Sequence, residues 1–151
     1  MPIDIESKLW GVSQLIYRDH WSELFELRIQ AGGYSSRHHH KLKMNAFWIQ
    51  EGQLDILLYE AVEQVDGSKI RIEKYTLLPE QAPYCIAVND QHRFFARTPV
   101  VCYEWYKAIP GYQLTNDDIF RVDLGGIQKA HLDYFIELNI SSSSASISSS
   151  H

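Results

Sequence analysis

Residues 32–52, GGYSSRHHHKLKMNAFWIQEG, carry the spacing on which the rest of the chain is read. Five residues separate Gly32 from His38, His40 lies two further on, four residues lead to Asn45, and six more lead to Gly52. Side chains alternate along a strand, so His38 and His40 point to one face while His39 points to the other. His38 and His40 can therefore share one metal ion, and three consecutive histidines need not mean three ligands. A further donor has to come from elsewhere in the chain, and His92, in VNDQHRFFA, is available.

This spacing resembles the first motif of the cupins: Gly, five residues, His-x-His, three or four residues, Glu, six residues, Gly. Asn45 stands in the glutamate position. The segment LLPEQAPYCIAVNDQHRFF is similar to the second, looser motif, with Pro79 and His92 in place but Glu80, Ala87 and Asn89 where glycine or proline is usual. Lys8-Leu9-Trp10-Gly11 and the run from Asp117 to Asp123 resemble segments of sugar-phosphate cupins, particularly the mannose-6-phosphate isomerase-like group. The resemblance covers roughly residues 8–126. It implies an all-β fold, the double-stranded β-helix or jelly-roll barrel, and a divalent metal held by His38, His40 and His92.

The pattern of the chain points the same way. Half-buried strands are expected around Ser13 to Tyr17, from Leu24 to Gln30 and from Ala46 to Gln50; the last reverses at Glu51-Gly52-Gln53 into Leu54 to Ala61. Asp66-Gly67 suits a tight hairpin, because both residues tolerate positive φ. Ile70 to Leu77, Tyr84 to Val88, His92 to Arg97 and Val100 to Lys107 follow. Evenly spaced strands with turn signals between them indicate an antiparallel barrel or double-sheet jelly roll. Residues 1–140 are expected to form one domain, with a short helical or irregular segment near Gln128 to Leu138, where Tyr134-Phe135-Ile136 also suits a strand. Residues 141–151, SSSSASISSSH, have almost nothing apolar to bury and are expected to be a disordered tail.

Composition limits the partners. A formal charge of −5 argues against a nucleic-acid surface, which needs clustered Lys and Arg to neutralise phosphates. MPIDIESKLW lacks the basic and apolar regions of a signal peptide, and no long apolar run is present, so a cytoplasmic protein without membrane contact is expected. Cys85 and Cys102 read as two packed thiols.

Three neutral imidazoles bind first-row divalent ions and leave positions open for water or substrate. Asn45 is the informative departure, since an amide oxygen is a weaker donor than a carboxylate and cannot act as a base. It can coordinate weakly, hydrogen-bond a bound water or substrate, or mark a site without metal. Glu104, in VVCYEWYK, supplies the missing carboxylate if its face of the strand is interior, and Tyr84 is a second candidate proton carrier. Alternation also places Asn45, Phe47 and Ile49 on one face, and His92, Phe94 and Ala96 on one face, giving an apolar pocket around a polar centre. Arg37, Lys41, Lys43, Arg93 and Arg97 are expected outside or in loops, with Lys43 and Arg93 the candidates for a phosphate contact. Trp48, Phe95, Trp105 and Tyr106 are expected on outer faces, where they would favour a homodimer.

The resemblance implies action on a sugar or sugar phosphate, in an isomerase- or epimerase-like reaction with zinc, manganese, nickel or iron. A three-histidine iron dioxygenase uses the same ligands differently. A non-catalytic cupin that binds a small ligand is the third reading.

Overall fold

The computed structural model describes residues 4–64, 67–128 and 146–150. Among them there are fourteen strands and no helix. β1 (Ile5–Lys8), β2 (Gly11–Arg18) and β3 (Ser22–Ile29) form an antiparallel meander. β4 (Gly33–Tyr34) and β5 (His38–His39) are short, and β6 (Lys43–Glu51) and β7 (Leu54–Gln64) are long. They are followed by β8 (Gly67–Leu77), β9 (Tyr84–Ile86), β10 (Gln91–Ala96) and β11 (Val100–Ala108). β12 (Phe120–Arg121), β13 (Gly126–Ile127) and β14 (Ser146–Ser150) complete the order.

Two sheets result. The first runs β1-β2-β3-β11-β6-β9, and the second runs β12-β5-β10-β7-β8-β14, with β4 beside β10 and β13 beside β4. Every pair is antiparallel except β14 with β8. The strand at Ser146–Ser150 lies in the serine-rich stretch for which disorder is expected from composition; its backbone pairs with Arg71 to Tyr75. The helical segment expected near residue 128–138 lies outside the described residues, as do residues 65 and 66 of the expected hairpin turn. Among the described residues, no helix is long and apolar enough to cross a membrane.

The facing sides of the two sheets enclose one core, to which β3 gives Leu27 and Ile29, β6 gives Phe47 and Ile49, and β10 gives Phe94 and Ala96. Burying each such Leu, Ile or Phe side chain is worth about 1.5–3 kcal/mol. The interior is apolar at one end only. Along β6 the inward residues read Lys43, Asn45, Phe47, Ile49; the antiparallel β11 reads Val100, Cys102, Glu104, Tyr106. The register sets Tyr106 opposite Asn45 and Cys102 opposite Ile49, so polar meets polar and apolar meets apolar. β10 changes in the same way, from His92 to Phe94 and Ala96.

This geometry decides the face that alternation leaves open. Glu104 is buried and Trp105 exposed, so Glu104 and not Trp105 points inward. Two expectations are corrected. Tyr106 shares the parity of Glu104 and lines the interior instead of the outside, and Lys43 shares the parity of Asn45 and is buried. Trp48 and Trp105 are exposed on the outer face as expected. Phe95 also points outward from the core but is buried in a second cluster with Leu57, Tyr59 and Ile72. Arg93 is likewise buried, ion-paired with Asp123 at 2.7 Å.

Gly32 and Gly52, which bound the histidine motif, have φ of 82° and 89°. A Cβ would meet the carbonyl oxygen of Gln128 at 2.2 Å in the first case and that of Pro99 at 2.2 Å in the second. Glycine is thus required at both ends for conformation and for space. Glu80 and Asn89, which stand where the second motif usually has glycine or proline, also adopt positive φ, 70° and 68°. The backbone therefore keeps the left-handed shape at both positions without the residue that favours it. Gly52→Ala is expected to lower unfolding free energy by about 1–3 kcal/mol, read as a fall in the urea midpoint, since it combines strained φ with a backbone clash. An unchanged midpoint would mean the turn can be rebuilt freely.

Candidate metal centre

His38 and His92 are directly opposed in the β5–β10 pair, and His40 follows two residues after His38. All three are buried, at 7%, 3% and 2% exposure, and one ring nitrogen from each lies within 4.8 Å of the others. His39 points away and stacks on Phe120 with ring centroids 5.1 Å apart.

The tautomers follow from the hydrogen bonds. His38 Nδ1 lies 2.8 Å from the Ser36 carbonyl oxygen, His40 Nδ1 2.6 Å from that of Asp118, and His92 Nδ1 2.8 Å from that of Asp90. A carbonyl oxygen only accepts, so each Nδ1 carries the proton and each Nε2 presents a lone pair. His40 Nε2 and His92 Nε2 are buried without any partner among the described residues. Two buried acceptors without partners are costly unless something fills the space between them. Nδ1–H bonded to a backbone carbonyl with Nε2 free is also how metal-ligating histidines are oriented. The donor set therefore fits a divalent cation.

Electrostatics keeps the imidazoles ready. Burial, reinforced by the neighbouring rings, pushes the His38 pKa down to about 2. Burial pushes His40 and His92 down to about 4, against the opposing effect of their backbone hydrogen bonds. All three are neutral at neutral pH, as ligation requires.

Asn45 and Glu104 form the polar wall beyond the histidines. Asn45 Nδ2 donates to Glu104 Oε2 at 2.9 Å. Tyr106 also hydrogen-bonds the carboxylate, and burial raises the Glu104 pKa above its ordinary value despite both contacts. Burial and the adjacent Glu104 raise the Tyr106 phenol as well. The contact observed is none of the three roles open to Asn45 from the sequence: its amide donates to the carboxylate of the neighbouring strand. No carboxylate joins the histidine cluster among the described residues. Tyr84 packs in the core next to Tyr75, ring centroids 5.1 Å apart, and lines neither cavity at the polar end.

Those two cavities adjoin. One, of about 350 Å³, is lined by His38, Glu104 and Tyr106; the other, of about 470 Å³, by His40, Lys43 and Tyr106. Ile119 and Arg121 line both. Three residues at this end are not singled out by the sequence reading of the site. Tyr106 is recoverable from its parity with Glu104. Asp118 and Arg121 lie in the run from Asp117 to Asp123 whose resemblance is noted above, but nothing local gives either a place at the site, since Asp118 meets His40 across 78 positions of sequence. Asp118 also accepts hydrogen bonds from the backbone N–H of Lys41 and Leu42, both at 2.8 Å, and so pins the turn after His40.

Elemental mass spectrometry of untagged protein is expected to give close to one divalent ion per chain, lost in His40→Ala and in His92→Ala, with β-sheet circular dichroism retained. Metal retained in both variants would remove the three-histidine site. The metal-free protein is also expected to lose stability as pH falls from about 6.5 toward 4, because the unfolded chain takes up protons that the buried imidazoles refuse. Urea unfolding across that range should be less steep in pH for His92→Gln; an equal slope would show that His92 is not held neutral.

No family model and no curated protein sequence matches the chain. Solved structures do. CapF of Staphylococcus aureus, described as a capsular polysaccharide assembling protein, superposes with a TM-score of 0.62 at 15% identity, covering 82% of this chain and 32% of its own. Oxalate decarboxylase of Bacillus subtilis gives 0.58 at 10% identity, with 80% and 30% covered. The enzyme of the same name from Lactobacillus farciminis gives 0.55 at 10%, with 80% and 34% covered. The chain thus spans about a third of the length of these neighbours. At such identities the likeness speaks for architecture alone: with the two antiparallel sheets it shows an all-β, cupin-like jelly-roll fold, and the three histidines inside it form a candidate metal site.

Proposed function

We propose that this protein is a metal-dependent isomerase or epimerase of a small hydroxy-carbonyl compound, a sugar or a sugar phosphate. The observation that carries the reading is Glu104: a buried carboxyl group, absent from the ligand cluster, in a cavity that His38 also lines. An isomerisation of this kind removes a proton beside a carbonyl and returns it to a neighbouring atom. It needs one group able to do both, and a buried carboxyl group whose pKa burial raises above its ordinary value suits that need.

His38, His40 and His92 would hold the ion, and a bound divalent cation would lend Lewis acidity to a substrate oxygen. The remaining work falls to the chain. Asn45 occupies Glu104 Oε2 and orients the carboxyl group, and Tyr106 is positioned on the same carboxylate to pass a proton to or from it. Phe25, Phe94 and Leu27 wall the cavity and keep water from competing. Tyr84, half-buried beside Tyr75, takes no part in this scheme. CapF, related by name to capsular polysaccharide, lends the carbohydrate reading support from a neighbour of the same fold.

One observation favours a second reading. Three histidines without a carboxylate also suit an iron-dependent dioxygenase, in which Glu104 would serve only as a wall. Aldose and ketose phosphates incubated with zinc-, manganese- or nickel-loaded protein in deuterated water are expected to gain deuterium at the carbon beside the carbonyl. Glu104→Gln is expected to reduce that exchange by about 10²–10⁴-fold with metal content unchanged. Exchange undiminished in Glu104→Gln, or oxygen uptake by the iron-loaded protein in its place, would sink the isomerase reading.

A further inference from the structure

Lys43 stands out at the polar end of the barrel. Its side chain is 8% exposed, on the inward face of β6, and it lines the cavity that contains His40. The ammonium lies 4.2 Å from the centroid of the Tyr106 ring. Among the described residues it makes no hydrogen bond or ion pair, although burying a cation without an anionic partner is expensive.

The acids around it are already committed. Glu23 accepts from Arg18, at 2.7 Å from Nε and 2.5 Å from the terminal nitrogen. The Asp118 carboxylate is spent on the backbone N–H groups of Lys41 and Leu42. Glu104 is bound by Asn45 and Tyr106, and burial favours its neutral form. These groups soften the cost of the ammonium through space, yet none closes on it. Arg121 adds a second cation at the opening: it lines both cavities, pairs with His38 in the β12–β5 ladder, and has no ion pair among the described residues.

We propose that this cavity is an anion site in which a phosphate or carboxylate group of a small ligand sits against the Lys43 ammonium, with the Arg121 guanidinium at the mouth and the rest of the ligand directed toward the histidines. The site deepens the enzyme reading and rests on it only for the use made of the ligand. Lys43 supplies a point charge at depth, and Arg121 supplies a fork able to grip two oxygens. Both cations belong to segments tied to the metal centre, Lys43 three residues beyond His40 and Arg121 three beyond Asp118.

The test is isothermal titration of metal-loaded protein with inorganic phosphate and, separately, malonate. Wild type is expected to bind at least one of them at millimolar concentration or better, and the tighter ion names the ligand group. Lys43→Met is expected to weaken that binding by about tenfold or more with metal content unchanged, and Lys43→Arg to restore most of it. Arg121→Gln, at an exposed position that leaves the core untouched, is expected to weaken it severalfold. Binding of both ions to Lys43→Met as tightly as to wild type, or no binding of either ion to wild type, would overturn the proposal. The two readings fail separately. An anion site lost with Lys43 but no effect of Glu104→Gln on proton exchange would count against the enzyme alone, whereas exchange that needs Glu104 with no response to Lys43 would count against the anion site alone.

Discussion

Three backbone carbonyls, those of Ser36, Asp90 and Asp118, fix which nitrogen of each histidine carries the proton, and the polar end of the barrel depends on that choice. Were the opposite tautomers present, the carbonyls would face lone pairs and Nε2–H groups would crowd the centre. With Nδ1 committed, the Nε2 atoms of His40 and His92 remain buried acceptors without partners. A folded protein tolerates such groups where something else is meant to meet them. Asp118 joins this arrangement to the mouth of the cavity, because the residue that orients His40 through its carbonyl also caps the following turn through its carboxylate.

The barrel divides its interior along its length. Leu, Ile, Val and Phe fill one end; histidine, asparagine, glutamate, tyrosine and lysine line the other. Antiparallel register makes the division sharp, since β6 begins where β11 ends and both are polar there. The Asn45–Glu104 hydrogen bond shows the consequence. The motif position that is usually glutamate holds an amide, and a carboxyl group enters from the adjacent strand, one step away from the ligands. The acid is thereby separated from the histidine cluster and kept in the cavity wall.

Much of this was legible in the chain. The spacing of Gly32, His38, His40 and Gly52 carried both the strand reversal and the ligand pair, because a period of two leaves no choice about which histidines share a face. Local signals reached as far as strand positions and less far in length: β2, β7 and β8 extend beyond the segments that alternation picks out. β7 is buried on both faces, Leu54 and Ile56 in the main core and Leu57 and Tyr59 in the second cluster, so its residues do not alternate cleanly. Lys43 and Tyr106 were placed outside, because a charged or hydroxylated side chain is usually solvated and the parity that sends each inward is readable only once Asn45 and Glu104 are known to face the core.

The sequence by itself pointed to the fold class and to His38 and His40 on one face, since strand alternation has a period of two, and the motif resemblance added His92 from a distant segment. Only the tertiary structure decided which face of β11 is interior, that Asn45 binds Glu104, and that Lys43 lies buried beside Tyr106. Each of these depends on the register between strands distant in sequence, with 59 positions from Asn45 to Glu104 across the β6–β11 pair. Register is set by the packing of the whole barrel, and no local stretch of residues encodes it.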